Sequence, residues 1–177
     1  MIPALAPPAP LRDGDVELLP LDGGVADLVL AGSNDEQVTR WTQVPAGLTA
    51  WDARLVTAGW LGTQARTVRL QVRTDELGPV GMVTIWIGAD GEAEVGYWLL
   101  ARARGKGVGR RAVRLLCDWA LESGGVDRLQ LTTLPGNAAS ERVAAGCGFT
   151  RAHTVERDIK GTVCTLQLWL REAGPTA

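Results

Sequence analysis

Arg104-Gly105-Lys106-Gly107-Val108-Gly109-Arg110 carries glycine at every second position and a cation at both ends. Glycine accepts backbone angles that other residues resist, so such a run can turn several N–H groups toward one point. A helix should begin where the run ends, because Val108, Ala112, Leu115, Leu116, Trp119 and Ala120 recur at the spacing of one apolar helix face. The first turn of a helix presents unpaired N–H groups and the positive end of its dipole. Loop and helix together make a site for an anion, and a pyrophosphate in particular. Two other phosphate-binding spellings fail. A Walker loop needs Ser or Thr after Gly-Lys, whereas Gly107 follows Lys106; a dinucleotide fingerprint starting at Gly105 needs glycine where Arg110 stands.

Such a loop needs a sheet in front of it and a helix behind. Strict alternation over 67–73 predicts a strand, and 80–87 and 92–100 predict two more, with turns at Asp75 to Pro79 and at Ala89-Asp90-Gly91. This is an antiparallel meander leading into the loop. Upstream, 16–21 reads as a strand ended by Asp22-Gly23-Gly24, followed by helical stretches to about Ala31, over 37–41 and from Thr49 to about Gly59. Downstream, the helix over 108–123 stops at Gly124-Gly125, 128–133 is a short strand, and Asn137 opens a helix to about Gly146. Segments 150–157 and 162–169 form a hairpin around Asp158-Ile159-Lys160-Gly161. The order predicts an α+β fold with one mixed, mostly antiparallel sheet flanked by helices.

Composition excludes several functions. A chain of 177 residues with 46% hydrophobic and 21% charged residues matches a packed globular domain. Its expected organisation is a flexible tail over 1–12, one domain over 13–172 and a C-terminal tail over 173–177. No apolar run reaches the ~20 residues of a membrane-spanning helix. Cys117, Cys147 and Cys164 have no metal-like spacing, and His153 is the one histidine, so no metal is expected. The formal net charge of −2 argues against nucleic acid as the partner, although Arg102, Arg104, Lys106, Arg110, Arg111 and Arg114 cluster locally. A cytoplasmic location is expected.

Arg104, Gly107 and Gly109 spell Arg-x-x-Gly-x-Gly, and the loop is preceded by Glu94-Val95-Gly96-Tyr97-Trp98-Leu99. Asp118-Trp119-Ala120, Asn137-Ala138-Ala139-Ser140 and Gly146-Cys147-Gly148-Phe149 follow in order. Together these elements resemble the GNAT acetyltransferases, and within them the RimJ/RimL branch, over residues 94–149. The resemblance implies a GNAT fold whose central strands splay apart at the acetyl-CoA site. It implies that the backbones of Leu99, Leu100 and Ala101 hold the pantetheine and thioester. Arg104, Gly105, Lys106, Gly107, Val108, Gly109 and Arg110 would take the pyrophosphate, and Asn137 and Ser140 would add contacts to the cofactor.

Acyl transfer from a thioester to an amine needs a group to take the amine's proton and a donor for the departing sulfur. Glu94 is the candidate base. On its strand, Glu92, Glu94 and Trp98 share one face while Val95, Tyr97 and Leu99 share the other. The resemblance makes Ser140 the candidate acid, since many GNAT enzymes carry a tyrosine for this purpose where Ala144 stands here. Read as a cap, Asn137 simply satisfies a free helix N–H. The implied reaction is direct attack, in a ternary complex, by a primary amine of a protein N-terminus or a small molecule. The alternatives are a CoA-binding sensor or interaction module without catalysis, and a nucleic-acid binder using the arginine cluster. Trp41, Trp51 and Trp60 fall in the first third, where the resemblance places the acceptor site, though tryptophan at helical positions is ordinarily core. The tryptophan-rich surface and the hairpin point to a homodimer.

Overall fold

The computed structural model describes residues 7, 10–61, 66–88 and 92–173. Leu11–Asp13 (β1) and Val16–Pro20 (β2) pair antiparallel. Three helices follow, Val25–Ser33 (α1), Glu36–Trp41 (α2) and Ala50–Ala58 (α3). The meander consists of Thr67–Thr74 (β3), Gly78–Ile87 (β4) and Ala93–Leu99 (β5). A 3₁₀ turn at Ala101–Ala103 leads to the helix Val108–Glu122 (α4), then Arg128–Thr133 (β6), Ala138–Gly146 (α5), Thr150–Ile159 (β7) and Thr162–Glu172 (β8). One sheet of eight strands results, in the order β1-β2-β3-β4-β5-β6-β8-β7, and every pair is antiparallel except β5 with β6. This is the mixed, mostly antiparallel α+β architecture that the sequence predicts.

Two local differences have simple causes. β1 begins at Leu11, inside the stretch expected to be tail, because three residues after a proline-rich run are too short to show a period. What holds them is pairing with β2, Leu11 opposite Leu18 and Asp13 opposite Val16. β5 ends at Leu99, one residue short of the expected end, because Leu100, still extended, is the residue from which the 3₁₀ turn starts. The rest of the expected N-terminal tail (1–6, 8 and 9), the turn at Ala89-Asp90-Gly91 and 174–177 lie outside the described residues.

The two faces of the sheet have different jobs. On one, α4 buries Val108, Ala112, Val113, Leu116 and Ala120 against strand residues that include Val83, Ile85, Val95 and Leu99. This apolar contact fixes the start of α4 beside the end of β5. On the other face, α1 packs Val25, Leu28 and Val29 around Met82, with Trp98 against them. Only part of that second face is covered, and its remainder is a wall of the candidate site.

β5 and β6 are in register at two positions alone, Ala93 with Leu129 and Glu94 with Gln130. Beyond Glu94 the strands part, β5 running on to Leu99 and β6 to Thr133. The expected splay is therefore present, and it opens toward the start of α4.

Candidate active site

Leu100 N–H donates to Val80 O across the β4–β5 edge. In an antiparallel pair both polar groups of a residue face the same neighbour, and successive residues alternate. Leu100, Trp98 and Gly96 therefore face β4, whereas Leu99, Tyr97 and Val95 face β6, which has parted from them. Tyr97 and Leu99 thus turn backbone groups into the splay. Leu100 and Ala101 differ from what the resemblance implies for them. Leu100 N–H is held by β4, and Ala101 N–H donates to Asp35 Oδ2 at 3.0 Å. Neither N–H is free to hold a thioester, and of the expected trio Leu99 alone faces the opening, with its carbonyl already accepting from Arg104 Nε.

The glycine loop lies at the mouth of that opening. Gly105 and Gly107 have φ of +74° and +75°, and a Cβ at either would meet nothing within 4 Å. Left-handed backbone is what glycine supplies there, and the vacant side is where an anion can approach. Gly107 caps α4 with no side-chain hydrogen bond to the helix start. The first N–H groups of α4 therefore converge with its dipole on the same point. A cradle of this form fits a pyrophosphate.

The splay and the loop open into one cleft of about 1040 Å³. Of the expected residues, Glu94, Leu99, Arg104, Gly105, Gly107, Gly109, Arg110, Asn137 and Ser140 line it. Leu100, Ala101, Lys106 and Val108 do not, and Val108 is buried as the first core residue of α4. Arg142, which the sequence did not single out, adds a third arginine to this end. Arg104 differs from expectation in its bonding. Its Nε donates to Leu99 O at 2.9 Å and its Nη2 to Asp35 Oδ1 at 2.6 Å, so it braces the loop against β5 and α2.

Asp35 ties these parts together. It caps α2 through the N–H groups of Gln37 and Val38 and also receives Arg104 and Ala101 N–H. Burial alone would raise its carboxyl, but the bonds from Arg104, Val38 N–H and Ala101 N–H outweigh burial and hold it below the usual 3.8. A depressed carboxylate contributes stability that is fully present above the unfolded value and lost as pH falls through the folded one. Asp35→Asn keeps a good cap but removes the charge. We expect it to cost about 1–2 kcal/mol near neutral pH, with the difference from wild type shrinking below about pH 4. Thermal unfolding across pH checks this, and a pH-independent difference would contradict it.

Glu94 stands on the open face of β5, opposite Trp86 on β4 and Gln130 on β6. Thr132 Oγ1 donates to Glu94 Oε1 at 2.9 Å. The other oxygen takes no hydrogen bond among the described residues, so one half of the carboxylate is fixed and the other can serve the cleft. Ser140 approaches from the first turn of α5. Asn137 Oδ1 accepts from Ser140 N–H at 3.2 Å, so Asn137 does act as a cap while also lining the cleft. Tyr97 Oη donates to Ser140 Oγ at 3.4 Å. The sequence placed Tyr97 on the strand face it shares with Val95 and Leu99 but gave it no role. Its distance from Ser140 in the chain, 43 residues, explains why.

Beyond Glu94 the cleft is aromatic, lined by Trp41, Trp60, Trp86 and Trp98. Trp86 crosses Gly96, where a Cβ would come within 2.5 Å of its ring, so that glycine gives the indole its place. Trp60 keeps part of the core role ordinary for tryptophan, packing against the cluster around Met82 while it lines the cleft, whereas Trp41 lines the cleft without joining that cluster, and Trp51 is 72% exposed on α3, outside the cleft. The Arg69 guanidinium lies 5.0 Å from the centre of the Trp60 ring, and burial draws it below its ordinary value.

Residues 16–150, more than half of the chain, match the acetyltransferase (GNAT) domain family, and the chain belongs to that family. A protein of Bacillus subtilis (strain 168) named "Probable N-acetyltransferase YjcK" is 32% identical over 84 residues, 48% of this chain and 46% of that protein. The chain thus aligns with about half the length of this curated relative. Among solved structures, spermidine N-acetyltransferase from Vibrio cholerae, in complex with CoA and spermine, superposes with a TM-score of 0.77 at 14% identity, covering 91% of this chain and 97% of that one. Ribosomal-protein-S5-alanine acetyltransferase from Vibrio fischeri gives 0.71 at 20% identity, over 94% and 98%. These likenesses establish the GNAT fold.

Proposed function

We propose that this chain is an acetyl-CoA-dependent N-acetyltransferase of the RimJ/RimL-like branch, passing acetyl to a primary amine by direct attack in a ternary complex. The observation that carries the reading is the meeting of the β5–β6 splay with the uncapped start of α4. The splay offers strand backbone to an extended pantetheine, and the loop offers converging N–H groups to its pyrophosphate. Backbone N–H groups aimed into the splay also face the oxygen that gains charge during transfer. Glu94 takes the amine's proton, and Ser140 supplies one to the departing sulfur.

Direct attack is favoured over an acetylated enzyme because none of the three cysteines lines the cleft. Burial pushes Cys147 up to about 11 and raises Cys117 further, which keeps both as thiols. Glu94 is the one acidic residue among those lining the cleft, and four tryptophans line it as well. A polyamine would find a single carboxylate there. An amine on an apolar body, such as a peptide N-terminus or a hydrophobic small amine, fits better.

Acetyl-CoA at about 100 times its dissociation constant should stabilise the protein by about 2.7 kcal/mol. That corresponds to a rise in Tm of about 5–10 °C for a chain of this size. ADP and NAD should give smaller shifts. No shift with millimolar acetyl-CoA would overturn the assignment.

A further inference from the structure

Tyr97 is the one tyrosine of the chain. It stands on β5 beside the start of α4, where a Cβ on Gly109 would lie 3.5 Å from its ring. Its hydroxyl donates to Ser140 Oγ at 3.4 Å, and both residues line the cleft. That distance is long for a hydroxyl pair, which leaves each room to tighten around a third atom. A serine hydroxyl has one hydrogen to give and two lone pairs to receive. With Tyr97 donating to one lone pair, the hydrogen of Ser140 is directed elsewhere. The cap from Asn137 fixes the backbone of Ser140, so what remains to be set is where that hydrogen points.

Resting on the acetyl-CoA reading above, we propose that Tyr97 and Ser140 form a two-hydroxyl relay to the sulfur, with Tyr97 as the residue that orients and reprotonates Ser140. The amine nitrogen bonds to the acyl carbon, and the carbon–sulfur bond breaks with its electron pair on sulfur. The sulfur takes the Ser140 proton as Oγ takes the Tyr97 proton. Glu94 passes the proton it takes from the ammonium on to solvent, and the proton that the nitrogen loses as the amide forms returns through water to the phenoxide. Serine alone would be left as an alkoxide, much less stable than a phenoxide, and the relay avoids this. Burial holds the Tyr97 phenol above its usual 10, so it carries its proton at any working pH.

The same donors must stabilise the thiolate of the product CoA, which allows a test that needs no acceptor. The thiol of CoA bound to wild type, Y97F, S140A and the double variant is titrated by thiolate absorbance, as the difference between loaded and free protein. Growth on 3-fluorotyrosine adds a second handle, because it alters position 97 alone and makes that phenol more acidic while keeping its shape. The bound thiol should titrate about one unit higher in Y97F than in wild type. S140A should raise it at least as much, the double variant no further than the larger single, and fluorotyrosine should lower it. A wild-type value in both Y97F and the fluorotyrosine protein, with S140A shifted, would overturn the relay and leave Tyr97 as packing. Failure of wild type to bind CoA at all would overturn the acetyl-CoA reading and the relay with it.

Discussion

Gly107→Val is expected to abolish the stabilisation of this protein by acetyl-CoA while leaving it folded. Two effects act at that position. With φ at +75°, an L residue is strained there by about 1–2 kcal/mol, and a β-branched side chain fits such a backbone worst. The strain lowers Tm but leaves the core intact, since a Cβ at Gly107 meets no protein atom within 4 Å. That open space is the cradle itself, so the methyl groups would stand over the N–H groups at the start of α4. We expect affinity to fall by at least about 100-fold, or about 2.8 kcal/mol. Gly125 is the control, because its φ is +70°, its Cβ would also meet nothing, and it lies outside the cleft. Gly125→Val should lower Tm similarly and keep the acetyl-CoA shift. Equal loss of the shift in both variants would mean that strain, and not obstruction, removes binding.

Glu94→Gln should have the largest effect on turnover with the least effect on binding. The substitution is isosteric and can still accept the Thr132 hydrogen bond, but an amide cannot take a proton from an ammonium. A positioned base contributes roughly 10²- to 10⁴-fold, so the loss near neutral pH should fall in that range. The deficit should shrink as pH rises and the free amine becomes available. For a peptide N-terminus recovery should begin near pH 8, and for a lysine-like alkylamine only near pH 10, following their ordinary pKa values. The position of the recovery therefore reports the acceptor class as well as the role of Glu94. The acetyl-CoA shift in Tm should match wild type. Wild-type turnover at neutral pH would assign the proton to another group.

The sequence was most informative where chemistry and period coincide in one short stretch. The loop from Gly105 to Gly109, the apolar face of α4 and the alternation of β3 are all local, and each element appears where its residues require it. Contacts between distant segments were not legible. Arg104 is an obvious anion ligand from its spelling, yet Asp35, 69 residues away, claims its guanidinium. Ala101 reads as free strand backbone until the same carboxylate is brought to its N–H. The Tyr97–Ser140 pair joins β5 to α5 across the whole of α4 and β6. Trp86 and Trp98 read as strand residues, and only the partial covering of their face by α1 turns them into cleft wall. Local propensity fixes elements, whereas the partners of a polar side chain follow from packing.

The central claim is that this cleft transfers acetyl from CoA to an amine, and the most direct measurement is thiol release from acetyl-CoA across a panel of amines, with the products weighed by mass spectrometry. The panel should hold peptides beginning with Ala or Ser, hydrophobic monoamines and spermidine. Thiol release in step with a gain of about 42 Da on a peptide N-terminus or hydrophobic amine, and lost in Glu94→Gln near neutral pH, is the predicted result. Stabilisation by acetyl-CoA with no thiol release for any amine would contradict it, and would make the chain a CoA-binding module without catalysis.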